Sequence, residues 1–218
     1  MTAIKAIVFD KDGTLHDTEK VFLRAWKAAA IDCGGIPDIE DTVRDCTGIN
    51  LTDTRVYWSK KYSHISFDEF LSYRQKHFND IVKDGVPVKA GAYALLEYLK
   101  AHGYKIGMAT STPYATVMEH LTRTEMLKYF DTVVTGDMVR HGKPDPEIYL
   151  LAAKRLDIEP AACIGVEDSM SGVRAIHAAG MKTVMIPDLI PPTPEIENIL
   201  WKKCTSLIDI ISILESIE

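Results

Sequence analysis

The sequence predicts an α/β protein: a parallel sheet with helices on both faces, and a helical insertion near its start. Three observations predict it. Short apolar runs of strand length recur with little alternation, as in strands covered on both faces: "YKIGMATST" (104–112), "YFDTVVTGD" (129–137) and "AACIGVEDS" (161–169). Helical patterns separate these runs. Residues 18 to about 85 carry helical spacing and no comparable strand.

The first strand lies in "KAIVFDKDGTLHDTE" (5–19), where four apolar residues, Ala6 to Phe9, run into Asp10 and Asp12. The insertion follows. Val21, Ala25, Trp26 and Ala29 mark one helical stripe; Phe67, Phe70, Leu71, Phe78 and Ile81 mark another, opened by a Ser66–Glu69 capping box. In residues 91–101, Leu95, Leu96 and Leu99 share a stripe, and Gly103 stands where a C-terminal cap belongs. Asp145-Pro146-Glu147 supplies an N-cap acid and then a proline at the first helical position of a helix to about Leu156. Ser169 caps a helix that ends at Gly180, and the strand "KTVMI" (182–186) follows. "DLIPPTPEIEN" (188–198) reads as a proline-rich loop and "SLIDIISILE" (206–215) as a closing helix. The expected division is residues 1–17 with 86–218 as one domain, and 18–85 as an inserted helical domain.

Bulk properties exclude several classes. The 218 residues are 46% hydrophobic and 26% charged, ordinary for a globular protein. Net charge is −6, so no basic surface points to nucleic acid. No apolar run approaches the ~18 residues of a membrane span, and the N-terminus reaches charge too soon for a secretory signal. Cys33, Cys46, Cys163 and Cys204 are scattered without a C-x-x-C, which suits reduced thiols in a cytoplasmic protein. A monomer suffices for this architecture.

In open parallel sheets, ligands gather beyond the carboxyl ends of the strands. Those ends carry Asp10 and Asp12, Thr110, and Glu167 with Asp168; Lys143 joins from "HGKPDPEIY", on the approach to a helix. Several carboxylates and a lysine share a site readily if a cation offsets the acids and an anion balances the lysine. Hard oxygen ligands suit Mg²⁺, and the anion it favours is a phosphate. One carboxylate can then attack phosphorus to form an aspartyl-phosphate. A second acid two residues on can protonate the leaving oxygen and later deprotonate water. In a strand-like stretch Asp10 and Asp12 project to one side, with Lys11 turned away. Gly13 lets the backbone turn closely beside the bound group.

These segments, "DKDGT" (10–14), "GMAT" (107–110), "GKPDPEIY" (142–149) and "GVEDS" (165–169), resemble the four ordered motifs of the haloacid dehalogenase superfamily, in its phosphatase and β-phosphoglucomutase-like branch. The resemblance implies a Rossmann-like core and a mobile helical cap that closes over a small phosphorylated metabolite. It implies that Asp10 is the nucleophile and Asp12 the general acid and base, with Asp12 also giving its backbone carbonyl to the metal. Thr110, with Ser111 beside it, and Lys143 would hold the phosphoryl group. Glu167 and Asp168 would complete the Mg²⁺ ligands.

Other readings compete with this one. "DKDG" with Glu19 mimics a calcium EF-hand loop, but Val8 would then occupy a ligand position and "IKAIVF" is not a helix. A phospho-receiver also uses an aspartate, yet its acid pair comes first and its nucleophile later. A silent binding relative would keep the motifs without turnover. His16 is expected at the surface or in a capping role, with lining the entrance as the alternative, and Trp26, Trp58 and Trp201 in packing. Within the family, mutase relatives place a histidine early in the cap and an arginine in a cap loop. Here no histidine occurs between Asp17 and Ser63, Phe22 stands at the histidine's place, and "CTGINLTD" (46–53) has no arginine. Hydrolysis of a small phosphate monoester, of a sugar or polyol, is therefore expected rather than mutase chemistry. Residues 47–50 are expected to form the cap's substrate-facing loop.

Overall fold

The computed structural model of the chain describes residues 3–46, 51–83, 85–188 and 190–217. It divides into two compact units: residues 1–17 with 87–218, and residues 18–86. In chain order the elements are β1 (Ala6–Phe9), α1 (Thr18–Asp32), α2 (Ile39–Cys46), α3 (Leu51–Lys61), α4 (Phe67–Val82), α5 (Ala92–Ala101), β2 (Lys105–Thr110) and α6 (Tyr114–Arg123). There follow β3 (Thr132–Thr135), α7 (Glu147–Leu156), β4 (Cys163–Glu167), α8 (Met170–Ala178), β5 (Lys182–Met185), α9 (Pro194–Glu197), β6 (Lys202–Lys203) and α10 (Asp209–Glu215). The expected segment 47–50 lies outside the described residues.

The larger unit is a six-stranded sheet in the order β3-β2-β1-β4-β5-β6, and every neighbouring pair runs parallel. Because side chains alternate along a strand, β1 feeds two cores at once. Ile7 and Phe9 join Ile106, Met108, Ile164, Val166 and the leucine stripe Leu95, Leu96 and Leu99 of α5. Ala6 and Val8 join Ile148, Tyr149, Ala152 and Ala153 of α7 and Ile176 of α8 on the opposite face. All four β1 side chains are fully buried, which is why the strand reads as an unbroken apolar run.

Local signals set the ends of the helices. The Ser169 hydroxyl accepts from Gly172 N at 3.1 Å and caps α8. Asp145 Oδ1 accepts from Glu147 N at 2.9 Å at the start of α7. In the helical unit Ser66 Oγ accepts from Glu69 N at 3.3 Å and opens α4. Two elements depart from the expectation. The proline-rich loop winds into α9, because the Thr193 hydroxyl caps Ile196 N. The short edge strand β6 pairs with β5 although its residues, Lys202 and Lys203, carry no apolar signal.

The helical unit has its own core. α1 packs along α4, and Trp58 of α3 lies 4.2 Å from the Phe70 ring, with Trp26 5.0 Å from the same ring. Phe70 and Trp58 are fully buried. Burial of each such side chain stabilises by ~1.5–3 kcal/mol, so the aromatic stripes found by helical spacing account for this unit's cohesion. Trp26 and Trp58 are packing residues, as expected.

Candidate active site

β1 lies at the centre of the sheet, between β2 and β4. The chain runs from β1 outward to β2 and β3, then returns to β4 on the other flank of β1. Such a reversal leaves a crevice at the carboxyl ends of the two central strands. Asp10 sits there, held by its backbone N–H on Val166 O at 2.9 Å. Glu167 is the last residue of β4 and Thr110 the last of β2.

Lys143 reaches this edge from the loop before α7. Its ammonium donates to Asp10 Oδ1 at 2.6 Å, to Glu167 Oε1 at 2.6 Å and to Ala109 O at 3.0 Å. It also lies 5.0 Å from the centre of the Tyr149 ring. The three charged side chains are all buried, at 6% exposure or less for Lys143 and Glu167. Burial disfavours the ammonium, but Asp10 and Glu167 raise its pKa well above the ordinary value. For Glu167, burial is outweighed by Lys143 and by the Ser169 donors, which hold its carboxyl below the usual range. Burial dominates at Asp10: its carboxyl is pushed up to about 7, against the pull of Lys143 and with the charges of Glu167 and Asp12 adding to the rise.

Glu167 is fixed on all sides. Its Oε2 accepts from Asp168 N, Ser169 N and the Ser169 hydroxyl at 3.0, 2.8 and 2.9 Å. Its Oε1 also accepts from the Tyr149 hydroxyl at 3.3 Å. The backbone turns beside it. Gly13 has φ 80°, and a Cβ there would fall 2.1 Å from Asp168 Oδ2. Thr14 donates to Asp168 Oδ1 at 3.2 Å.

Ligand oxygens of Asp10, Glu167 and Asp168 lie within 4.8 Å of one another. Three carboxylates at that separation fit a hard divalent cation such as Mg²⁺, and such a cation would favour ionised Asp10. The Asp12 carboxylate has partners of its own. Its Oδ1 accepts from Lys11 Nζ and its Oδ2 from the Thr112 hydroxyl, each at 2.6 Å. Burial would raise this carboxyl, yet Lys11 and Thr112 hold it below the ordinary range.

The structure thus brings Asp10, Lys143, Glu167 and Asp168 together. Thr110 is buried beside them at the end of β2 and accepts from Thr112 N at 3.2 Å. Ser111 is exposed at the following position. Two expectations are corrected. Lys11 is not turned away: its side chain is fully buried and folds onto Asp12, because the strand ends at Phe9 and the chain turns at Gly13. His16 is fully buried rather than at the surface, with Nε2 3.4 Å from Thr124 Oγ1. The residues after Gly13 fold inward, and His16 bridges to Val88. The EF-hand reading fails at Val8, which is buried inside β1. Reading the sequence missed Thr112, Tyr149, Ser169 and Gly172 as supports of the site. Thr112 and Tyr149 lie inside or beside motifs already singled out, so their proximity in sequence was the available signal.

The chain is similar to known proteins in sequence and in fold. A phosphorylated carbohydrates phosphatase from Thermotoga maritima is 36% identical over 186 residues, covering 83% of this chain and 84% of its own length. A β-phosphoglucomutase from Bacillus subtilis is 30% identical over 188 residues, covering 83% and 82%. In structure, a haloacid dehalogenase family hydrolase from Deinococcus radiodurans R1, solved with phosphate and sodium, superposes with a TM-score of 0.85. It is 23% identical, with 99% of this chain and 97% of that one covered, which shows a shared fold. The family model of the haloacid dehalogenase-like hydrolases matches residues 4–180, and the chain belongs to that family.

Proposed function

We propose that this hydrolase cleaves small phosphate monoesters of the sugar or polyol phosphate class through an aspartyl-phosphate on Asp10. The observation that carries the reading is Lys143, whose buried ammonium bridges Asp10 and Glu167 at 2.6 Å each. A buried lysine between two acids neutralises one of them; a third acid, Asp168, then leaves an anionic cluster suited to a cation and a bound phosphoryl group.

In this reading Lys143 occupies Asp10 Oδ1, which leaves Oδ2 to attack phosphorus. The Oδ2–P bond forms as the ester P–O bond breaks, and the leaving oxygen takes a proton from Asp12. Asp12 then accepts a proton from water as the water oxygen attacks phosphorus and Asp10 is released. Thr110, Ser111 and Lys143 bind the phosphoryl oxygens. Asp10, Glu167 and Asp168, with the Asp12 backbone carbonyl, would hold Mg²⁺, which supplies charge neutralisation for the transferring group when bound. The helical unit is the cap.

Hydrolysis is favoured over mutase chemistry by Phe22. At the place of the mutase histidine it packs on Phe78, with ring centres 4.8 Å apart, and offers no acid or base. The phosphatase relative supports the same choice, and the β-phosphoglucomutase relative defines the alternative. Asp10→Asn is expected to abolish Mg²⁺-dependent phosphate release from an aryl phosphate, and full activity in that variant would remove the covalent mechanism. Hexose 1-phosphate is expected to yield free phosphate. Interconversion of hexose 1- and 6-phosphates would replace hydrolysis with the mutase reading.

A further inference from the structure

Lys11 stands between the two aspartates in sequence, and its side chain has no solvent exposure. Asp12 is the one carboxylate it contacts among the described residues, at 2.6 Å. The charge of Lys11 is also felt at two buried imidazoles, His16 and His120, which offer it no opposite charge. Burying an ammonium is costly unless it is paired, so Lys11 and Asp12 constrain each other. From the other side the Thr112 hydroxyl takes Asp12 Oδ2 at 2.6 Å. Each oxygen of this half-buried carboxylate is therefore held by a separate short bond, one from the first loop and one from the loop after β2.

We propose that Lys11 is a positioning residue for proton transfer: together with Thr112, its buried ammonium holds the Asp12 carboxyl group in the orientation from which it serves the leaving oxygen. The inference rests on the reading of Asp12 as the proton donor. The proton matters in proportion to the leaving group's basicity. An alkoxide leaving from a sugar or polyol phosphate needs the proton as its P–O bond breaks, whereas an activated phenolate departs without it. The quantity to measure is kcat/KM, which reports the steps through Asp10 phosphorylation and not the later hydrolysis.

Lys11→Met is expected to lower kcat/KM for an alkyl ester such as glycerol phosphate by about 10- to 100-fold. For p-nitrophenyl phosphate the change is expected to stay within about threefold, since the share of acid catalysis is small there. In an Asp12→Asn background, Lys11→Met is expected to add nothing further. Thr112→Val is expected to show the same ester selectivity, and it serves as the test if Lys11→Met does not fold. Equal losses on both esters, or losses that multiply in the double variant, would assign Lys11 a purely structural role and overturn the inference. An Asp12→Asn variant with undiminished kcat/KM on the alkyl ester would overturn the acid–base reading itself, a result distinct from additivity.

Discussion

In the proposed mechanism Asp10 is the nucleophile. A nucleophile must be ionised, yet burial pushes this carboxyl up to about 7. Below that pH a proton competes with the cation for the same oxygens. The apparent Mg²⁺ affinity is therefore expected to weaken about tenfold per pH unit as the pH falls below about 7. Activity measured against Mg²⁺ concentration at pH 8, 7, 6 and 5 checks this, and a pH-independent midpoint would contradict it. Asp10 and Asp12 illustrate what two residues of separation permit. The sequence proposes both as reactive acids, but it does not show their opposite electrostatics. Asp10 faces two further acids and one shared lysine, whereas Asp12 has a lysine and a hydroxyl of its own. A linear pattern does not record which ammonium folds onto which carboxylate.

At the scale of elements, the β4–α8 junction carries the most constraint. Ser169 caps α8 and also donates to Glu167, so the helix start and the acid cluster are built from the same atoms. Gly172 in the first turn of α8 leaves room for Glu167: a Cβ at position 172 would fall 1.7 Å from Glu167 Oε1. Gly172→Ala would ordinarily favour a helix by ~1 kcal/mol, but here the overlap forces Glu167 away from Lys143. The expected outcome is a loss of about 1–3 kcal/mol of stability and a large fall in activity. Urea unfolding and phosphate release measure the two effects, and a stabilised, fully active variant would refute the argument. The helix caps at Ser66 and Ser169 were readable, because a cap is a contact between residues three apart; α7 instead starts one residue later than an Asp145 cap implies, with Pro146 at the cap position. α9 and β6 were not readable, since β6 exists only through its pairing with β5.

Over the whole molecule, acid sensitivity has an identifiable source in the larger unit. His16 is buried among Lys11, Asp12 and His120, and burial, with Lys11 adding to it, drives its pKa down from 6.5 to about 3. His120 is shifted down as well, by burial first. The unfolded chain takes up a proton on His16 below pH 6.5, while the folded chain does so only near pH 3. Stability is therefore complete above pH 6.5 and declines as pH falls toward 3, by ~2 kcal/mol between pH 6.5 and 5 from His16 alone. Urea unfolding of the wild type and His16→Leu at pH 7.5 and pH 5 tests this. The variant is expected to lose less stability on acidification, and parallel losses would sink the assignment.

Periodicity, caps and the four ordered motifs were enough to identify a covered parallel sheet and a helical insertion, and they named Asp10, Lys143, Glu167 and Asp168, which the fold brings together. These features depend on chemical type and on spacing along the chain, both of which are local. The partners within the site depended on the fold. Residues 143 and 10 are 133 positions apart, and 112 and 12 are 100 apart. Their distances follow from strand order and from the turn at Gly13, where the chain leaves the sheet and carries Lys11 and His16 inward. Burial raises the pKa of both Asp10 and Asp12, and the partners that the fold supplies, one lysine shared with Glu167 for Asp10 but Lys11 and Thr112 for Asp12, set their opposite shifts.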